Sequence, residues 1–157
     1  MSAPLKSSWN KLVRIAKYIR AHPRVVWEFE LQLMPTTVDV YSDANWGLCR
    51  RTRKSTSGGA VKLGSHTLKT WSKTQSIVAK SSGESEMYAI VKASTETLGL
   101  VTLFADLGME IGARIHVDAS AAKSIIEMQG VGSVRHIEMD TLWLQEQQSR
   151  ARLPLIK

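Results

Sequence analysis

The chain has 157 residues, 43% hydrophobic and 22% charged, enough apolar content for one compact domain with its own core and too much for a disordered tail. No apolar run reaches the length of a bilayer span. The N-terminus mixes Lys and Arg into its apolar positions, so no secretory leader is expected and an intracellular location is. A single cysteine, Cys49, excludes an internal disulfide and a Cys-based zinc cluster.

The net charge of +7 is unevenly placed. Residues 44–83 hold eight of the 21 basic residues and no Asp or Glu, so the remaining 13 basic and 14 acidic residues nearly cancel, at −1. A tract of this kind predicts a positive surface that attracts a polyanion, nucleic acid before others.

In chain order, residues 8–21 place Trp9, Leu12, Val13, Ala16 and Ile19 on one face of a helix, with Ser7 or Ser8 as N-cap and Pro23 beyond its end. Residues 24–33 (RVVWEFELQL) alternate in part and predict a strand, and Met34-Pro35-Thr36 a joint. Residues 1–35 therefore form a connector of helix plus strand, and 36–157 the domain it leads into. TTVDVYSD, residues 36–43, predicts a strand with Asp39, Tyr41 and Asp43 on one face and Val38 and Val40 on the other. Residues 58–73 predict two strands turning at Gly64-Ser65, which gives three consecutive antiparallel strands.

A long helix follows from Ser82 to Leu107, marked by Met87, Ile90, Val91, Ser94, Leu98, Val101 and Ala105 and closed by Gly108. ARIHVD predicts a fourth strand ending on Asp118. Residues 119–130 predict a short helix, 137–151 a last helix, and RLPLIK a further strand. The order is mixed α/β, in which ligand sites gather at the carboxyl ends of strands. If strands one and four are neighbours, Asp43 and Asp118 meet at one edge with Glu86 reaching in from the long helix. Such an oxygen cluster suits hard divalent cations, and two ions can activate water for phosphodiester hydrolysis. Each acid also has a plainer reading: Asp118 as an N-cap of the next helix, Glu86 as a first-turn acid favoured by the helix dipole.

These residues carry a resemblance. SDANWGLCRRTRKSTSGG, WSKTQ and SSGESEMYAI resemble the ribonuclease H domain of copia-type retrotransposon polyproteins, whose pattern is approximately SDADWAG, R-x-T-R-x-S-T-S-G, W-x-S-K-x-Q and SS-x-E-A-E-Y-x-A. IHVDASAA and VRHIEMDTLWLQE are similar to that family's later strand and helix. WNKLVRIAKYIRAHPRVVWEF is similar to the segment that closes its reverse transcriptase. The resemblance implies a ribonuclease H-like fold, a mixed central sheet of three antiparallel strands followed by parallel ones and flanked by helices. It also implies Asp43, Glu86 and Asp118 as metal ligands and catalytic residues, with Glu86 preferred to Glu84. The implied cofactor is Mg²⁺ or Mn²⁺, two ions, and the implied partners are RNA/DNA hybrid and the reverse transcriptase domain of the same polyprotein.

Arg51, Arg53, Lys54, Ser55 and Ser57 then read as phosphate contacts, and Lys73, Gln75 and Ser82 as further substrate contacts leading into the Glu86 helix. The plainer reading is a solvated loop followed by helix-capping serines. Trp46 and Trp71 fit stacking or the core, and His136 a proton shuttle or a bystander. The family's fourth carboxylate belongs to an A-D-x-x-T-K motif after the fifth strand, and the sequence stops within that strand at Lys157. Glu138 and Asp140 match the preceding helix, where a structural or substrate-facing role is expected. Two rivals to a nuclease remain: an inactive nucleic-acid-binding module and a structural connector within a polyprotein.

Overall fold

The computed structural model describes residues 5–118, 138–150 and 153–156. Helix α1 spans Lys6–Ala21, followed by strands β1 (Thr37–Asn45), β2 (Thr56–Leu63) and β3 (His66–Thr74). Then come helix α2 (Ser82–Asp106), strand β4 (Gly112–Val117), helix α3 (Glu138–Ser149) and the two-residue strand β5 (Leu155–Ile156). The short helix expected at residues 119–130, and His136, lie outside the described residues. No helix among the described residues is long and apolar enough to cross a membrane.

The five strands form one mixed sheet in the order β3-β2-β1-β4-β5, antiparallel across β1, β2 and β3 and parallel from β1 to β4 to β5. Period-two alternation decides which face each strand buries. Val38 and Val40 of β1, Val61 and Leu63 of β2, and Ala113, Ile115 and Val117 of β4 point to one side. There they meet Met87, Ile90 and Ala93 of α2 and Leu144 of α3 in a single core. Helix α2 is the long amphipathic segment the sequence predicts. Ser81 caps it by accepting the Glu84 N–H at 3.1 Å, and Gly108, at φ +76°, ends it in the left-handed conformation.

Two expectations need correction. Helix α1 begins at Lys6, where the Leu5 carbonyl accepts from the N–H groups of Ser8 and Trp9, and no serine side chain caps it. Residues 24–33 form no strand. Val25, Val26, Trp27, Phe29, Leu31 and Leu33 are exposed rather than packed on the sheet.

This segment instead docks through side chains on the β2–β3 turn. Gln32 Nε2 donates to the Leu63 carbonyl at 2.9 Å and to His66 Nδ1 at 3.0 Å, while Gln32 Oε1 accepts from the Ser65 N–H and hydroxyl. His66 Nε2 donates to the Glu30 carbonyl at 2.7 Å, which sets the ring's tautomer, and its edge meets Phe29. Gly64 at the turn has φ +61°, and a Cβ there would stand 2.3 Å from Gln32 Oε1.

A second glycine is set by packing. At Gly59 of β2 a Cβ would fall 2.1 Å from the Trp71 ring, which lies flat over that backbone against the core. Gly59→Ala is therefore expected to lower stability by about 1–3 kcal/mol through overpacking, read as a lower urea midpoint with an unchanged slope.

Candidate nucleic-acid site at the carboxyl edge of the sheet

Strand β1 buries Val38, Val40 and Ser42 and turns its alternate residues away from the core, so Asp43 near its carboxyl end stands in solvent. The parallel register pairs Tyr41 with His116 and Ser42 with Val117, so Asp43 and Asp118 come next, side by side on two adjacent strands. Both line an open cleft of about 780 Å³ on the sheet face opposite α2, together with Tyr41, Gly58, Ala60 and His116.

Glu86 approaches the same edge from the second turn of α2. The backbone N–H of Ala44, the residue after Asp43, works to lower the pKa of its carboxyl. Burial pushes its pKa up to about 7, and the negative charges of Asp43 and Asp118 push in the same direction. The two aspartates thus act on Glu86 from one rim. Among the described residues no three His, Cys, Asp or Glu side chains are drawn close enough to hold an ion between them as they stand.

The donor set still fits a hard cation. All three groups are carboxylates, and a half-buried Glu whose pKa is raised by burial and then by two like charges would be relieved by a positive charge placed among them. Glu84, two residues earlier, is buried and accepts the Lys80 N–H at 2.8 Å, so it serves the helix start.

The loop between β1 and β2 holds the first basic residues. It is closed by the Arg53 N–H donating to the Cys49 carbonyl at 2.6 Å, with Arg53 at φ +58°, and it leaves Arg51 and Arg53 exposed and Lys54 half-buried. Trp46 pins the loop by donating to the Ala79 carbonyl at 3.0 Å, and half of its surface stays in solvent.

Three residues read from the sequence as substrate contacts face inward instead. Ser55 is fully buried and accepts the Gly47 N–H, and Ser57 and Gln75 are buried and bonded to each other at 2.9 Å. Gln75 also donates to the Ser85 carbonyl at 2.8 Å, tying the β3 end to α2. Ser55 Oγ, Ser57 Oγ and Gln75 Nε2 hold the loop to the sheet, Gln75 Oε1 has no hydrogen-bond partner among the described residues, and all three side chains are buried, which runs against the expectation that they contact substrate. Lys73 and Ser82 are exposed.

One group of residues escaped the sequence reading. Asp39 receives both Arg114 Nε and Nη2 at 2.9 Å and His116 Nε2 at 2.8 Å, and the His116 ring stacks on Tyr41 with centroids 4.6 Å apart. Burial works to raise the Asp39 pKa, and the bonds from Arg114 and His116 outweigh it, so the carboxyl is held below its usual range. The signal was present as polar residues at alternate positions, 39, 41 and 43 on one strand and 114, 116 and 118 on the other.

No protein-family model matches the chain. Among curated proteins it is similar to the retrovirus-related Pol polyproteins of the Arabidopsis thaliana transposons RE2 and RE1, at 31% and 30% identity over 111 residues. Each match covers 71% of this chain and 8% of the polyprotein, so the chain spans a small part of these relatives. It is also similar to the secreted RxLR effector protein 161 of Plasmopara viticola, 34% identical over 99 residues that make up 63% of this chain and 69% of the effector. Among solved structures it is similar to LC11-RNase H1, isolated from compost by a metagenomic approach, with a TM-score of 0.58 at 11% identity, covering 77% of this chain and 83% of that one. The same enzyme in complex with RNA/DNA hybrid gives 0.51 at 15% identity, covering 76% and 83%. The N-terminal RNase H domain of rv2228c from Mycobacterium tuberculosis gives 0.52 at 11%, covering 78% and 81%.

Proposed function

Because the chain belongs to the family of copia-type retrotransposon Pol polyproteins and has the ribonuclease H fold, we propose that it is a ribonuclease H-type endonuclease that hydrolyses the RNA strand of RNA/DNA hybrids during reverse transcription. The observation that supports this reading is the parallel β1–β4 register, which sets Asp43 and Asp118 side by side at the carboxyl edge of the sheet, where burial and then the charges of both push the Glu86 pKa up to about 7. In this reading residues 1–35 connect the domain to a reverse transcriptase, its partner in the polyprotein.

Asp43, Glu86 and Asp118 would hold Mg²⁺ or Mn²⁺, which when bound supplies an activated water and charge neutralisation at the scissile phosphate. The chain's own residues do the rest. Arg51, Arg53 and Lys54 present guanidinium and ammonium groups to backbone phosphates, and Lys73 and Ser82 extend that contact along the helix start. Glu86, whose carboxyl is pushed up to about 7 by burial and then by Asp43 and Asp118, would have to give up its proton to serve as a ligand.

The test is cleavage of an end-labelled RNA/DNA hybrid with Mg²⁺ and then Mn²⁺, against duplex DNA and duplex RNA. Cutting confined to the RNA strand of the hybrid is expected. A second reading, an inactive nucleic-acid-binding module, is favoured by the acid-free basic tract over residues 44–83, which would hold a polyanion whether or not it is cut. Salt-sensitive hybrid binding without cutting would select it.

A further inference from the structure

Residues 24–33 are tied to the sheet at one place. Among the described residues, every hydrogen bond between this segment and the sheet passes through the Gln32 side chain or the Glu30 carbonyl, and residues 24–31 are exposed. The receiving site is the β2–β3 turn. It lies at the end of the sheet away from the carboxylate edge, since β2 pairs Leu63 with Val38 and Gly58 with Asp43.

The bonds at this turn leave the Gln32 amide one orientation. Nε2 gives its two hydrogens to the Leu63 carbonyl and to His66 Nδ1, and Oε1 accepts from both the N–H and the hydroxyl of Ser65. Turning the amide over would set Oε1 against the Leu63 carbonyl and Nε2 against the Ser65 N–H, two contacts of like polarity. The His66 ring is equally committed. Its Nε2–H is spent on the Glu30 carbonyl at 2.7 Å, so Nδ1 must stay bare to accept from Gln32. A proton on Nδ1 would face N–H with N–H, and the amide cannot answer by turning over.

No ion pair among the described residues includes His66. The charged residues on the elements that meet the ring are Arg24, Glu28 and Glu30 of the segment, Lys62 of β2 and Lys69 of β3, the last held by Glu96 at 2.6 Å. Both signs are present, and the Phe29 ring edge covers the imidazole from the segment side.

We propose that Gln32 and His66 form a pH-sensitive latch, closed while the imidazole is neutral and opened when Nδ1 takes a proton from solvent. Imidazole is the side chain that takes up a proton in the physiological range. Opening removes the bonds that fix residues 24–33 on the turn, so the helix α1 that precedes them is free to reorient against the domain. The inference does not rest on the nuclease reading, because it concerns how the N-terminal segment is held and not what the carboxylate edge does.

The test is backbone amide exchange of the full chain, read residue by residue by NMR at about pH 7.5 and about pH 5.5, with each rate divided into the intrinsic rate at that pH. Ser65 reports the latch, because its N–H is bonded to Gln32 Oε1, and Val40, buried in β1, reports the fold. Protection of Ser65 is expected to fall about 10-fold at the lower pH, the scale of a hydrogen bond lost and a donor left facing a donor, while Val40 keeps its protection. His66→Gln, which does not titrate, should show no such fall, and Gln32→Ala should leave Ser65 poorly protected at both pH values. Glu30→Gln should repeat the fall of the parent chain, since only the carbonyl of that residue is used. Unchanged protection of Ser65 in the parent chain, a fall shared by Val40, an equal fall in His66→Gln, or its disappearance in Glu30→Gln would overturn the proposal. Should His66→Gln fail to fold, the His66 ring signals of the parent chain decide it: a Ser65 change that does not follow their titration overturns it.

Discussion

Asp43→Asn is expected to lower the rate of hybrid cleavage by about 10²–10³-fold or more, the loss usual when a group that stabilises transition-state charge is removed. The substitution keeps the size and shape of the side chain and removes one negative charge from the rim. Asp43 is exposed at the end of β1, paired through its backbone to Gly58, so no buried contact is lost with the charge. The unfolding midpoint in urea should stay within experimental error of the parent chain. Binding of hybrid in EDTA should hold or strengthen, because a like charge has been taken away from the approaching phosphates. Full cleavage by Asp43→Asn would remove this residue from the site.

Glu86→Gln is expected to stabilise the metal-free protein above neutral pH while abolishing cleavage. Folding raises the pKa of this carboxyl from the ordinary 4.5 to about 7, through burial first and the charges of Asp43 and Asp118 after it. Between those two values the folded chain binds more protons than the unfolded one, so stability falls as pH rises through the window. Above the folded value the full cost of the ionised group is present, and below 4.5 it vanishes. Gln imitates the protonated acid at every pH. The gain at pH 8 should be on the order of 1 kcal/mol, after discounting for the solvent that screens a half-buried group. At pH 4 parent and variant should unfold together. Equal stability at both pH values would mean that the three acids do not act on one another.

The strands that carry the acids were legible because their chemistry is local. VDV and RIHV alternate at period two and each runs on to an aspartate, whereas the adjacency of the first and fourth strands was only a condition in the sequence and is supplied by the β1–β4 pairing. Helix α2 was legible for the same reason, since a 25-residue stripe of apolar residues closed by Gly108 has few other readings. Residues 24–33 show the limit of such patterns. Alternation shows that a segment can be half-buried in a sheet, and whether a ladder is open to receive it is decided by the rest of the chain.

Ser55, Ser57 and Gln75 were misread for a related reason. In a motif rich in Arg and Lys, small polar residues resemble phosphate contacts, yet here their bonds run inward and hold the basic loop in shape. The substrate-facing surface is then left to the longer cations around them. The Asp39, Arg114, His116 and Tyr41 group joins residues 75 and 77 positions apart, and only the β1–β4 register brings them together. A sequence shows the candidates for such a group without showing the pairing.

Whether Asp43, Glu86 and Asp118 act as one ligand set is read most directly from the unfolding temperature at pH 8 against Mg²⁺ concentration. A cation bound by the folded chain alone raises that temperature by mass action. The parent chain should gain several degrees and reach a plateau, whereas Asp43→Asn and Glu86→Gln should show little or no gain at the same ionic strength. The same rise in all three proteins, or none in the parent chain, would contradict a shared carboxylate site.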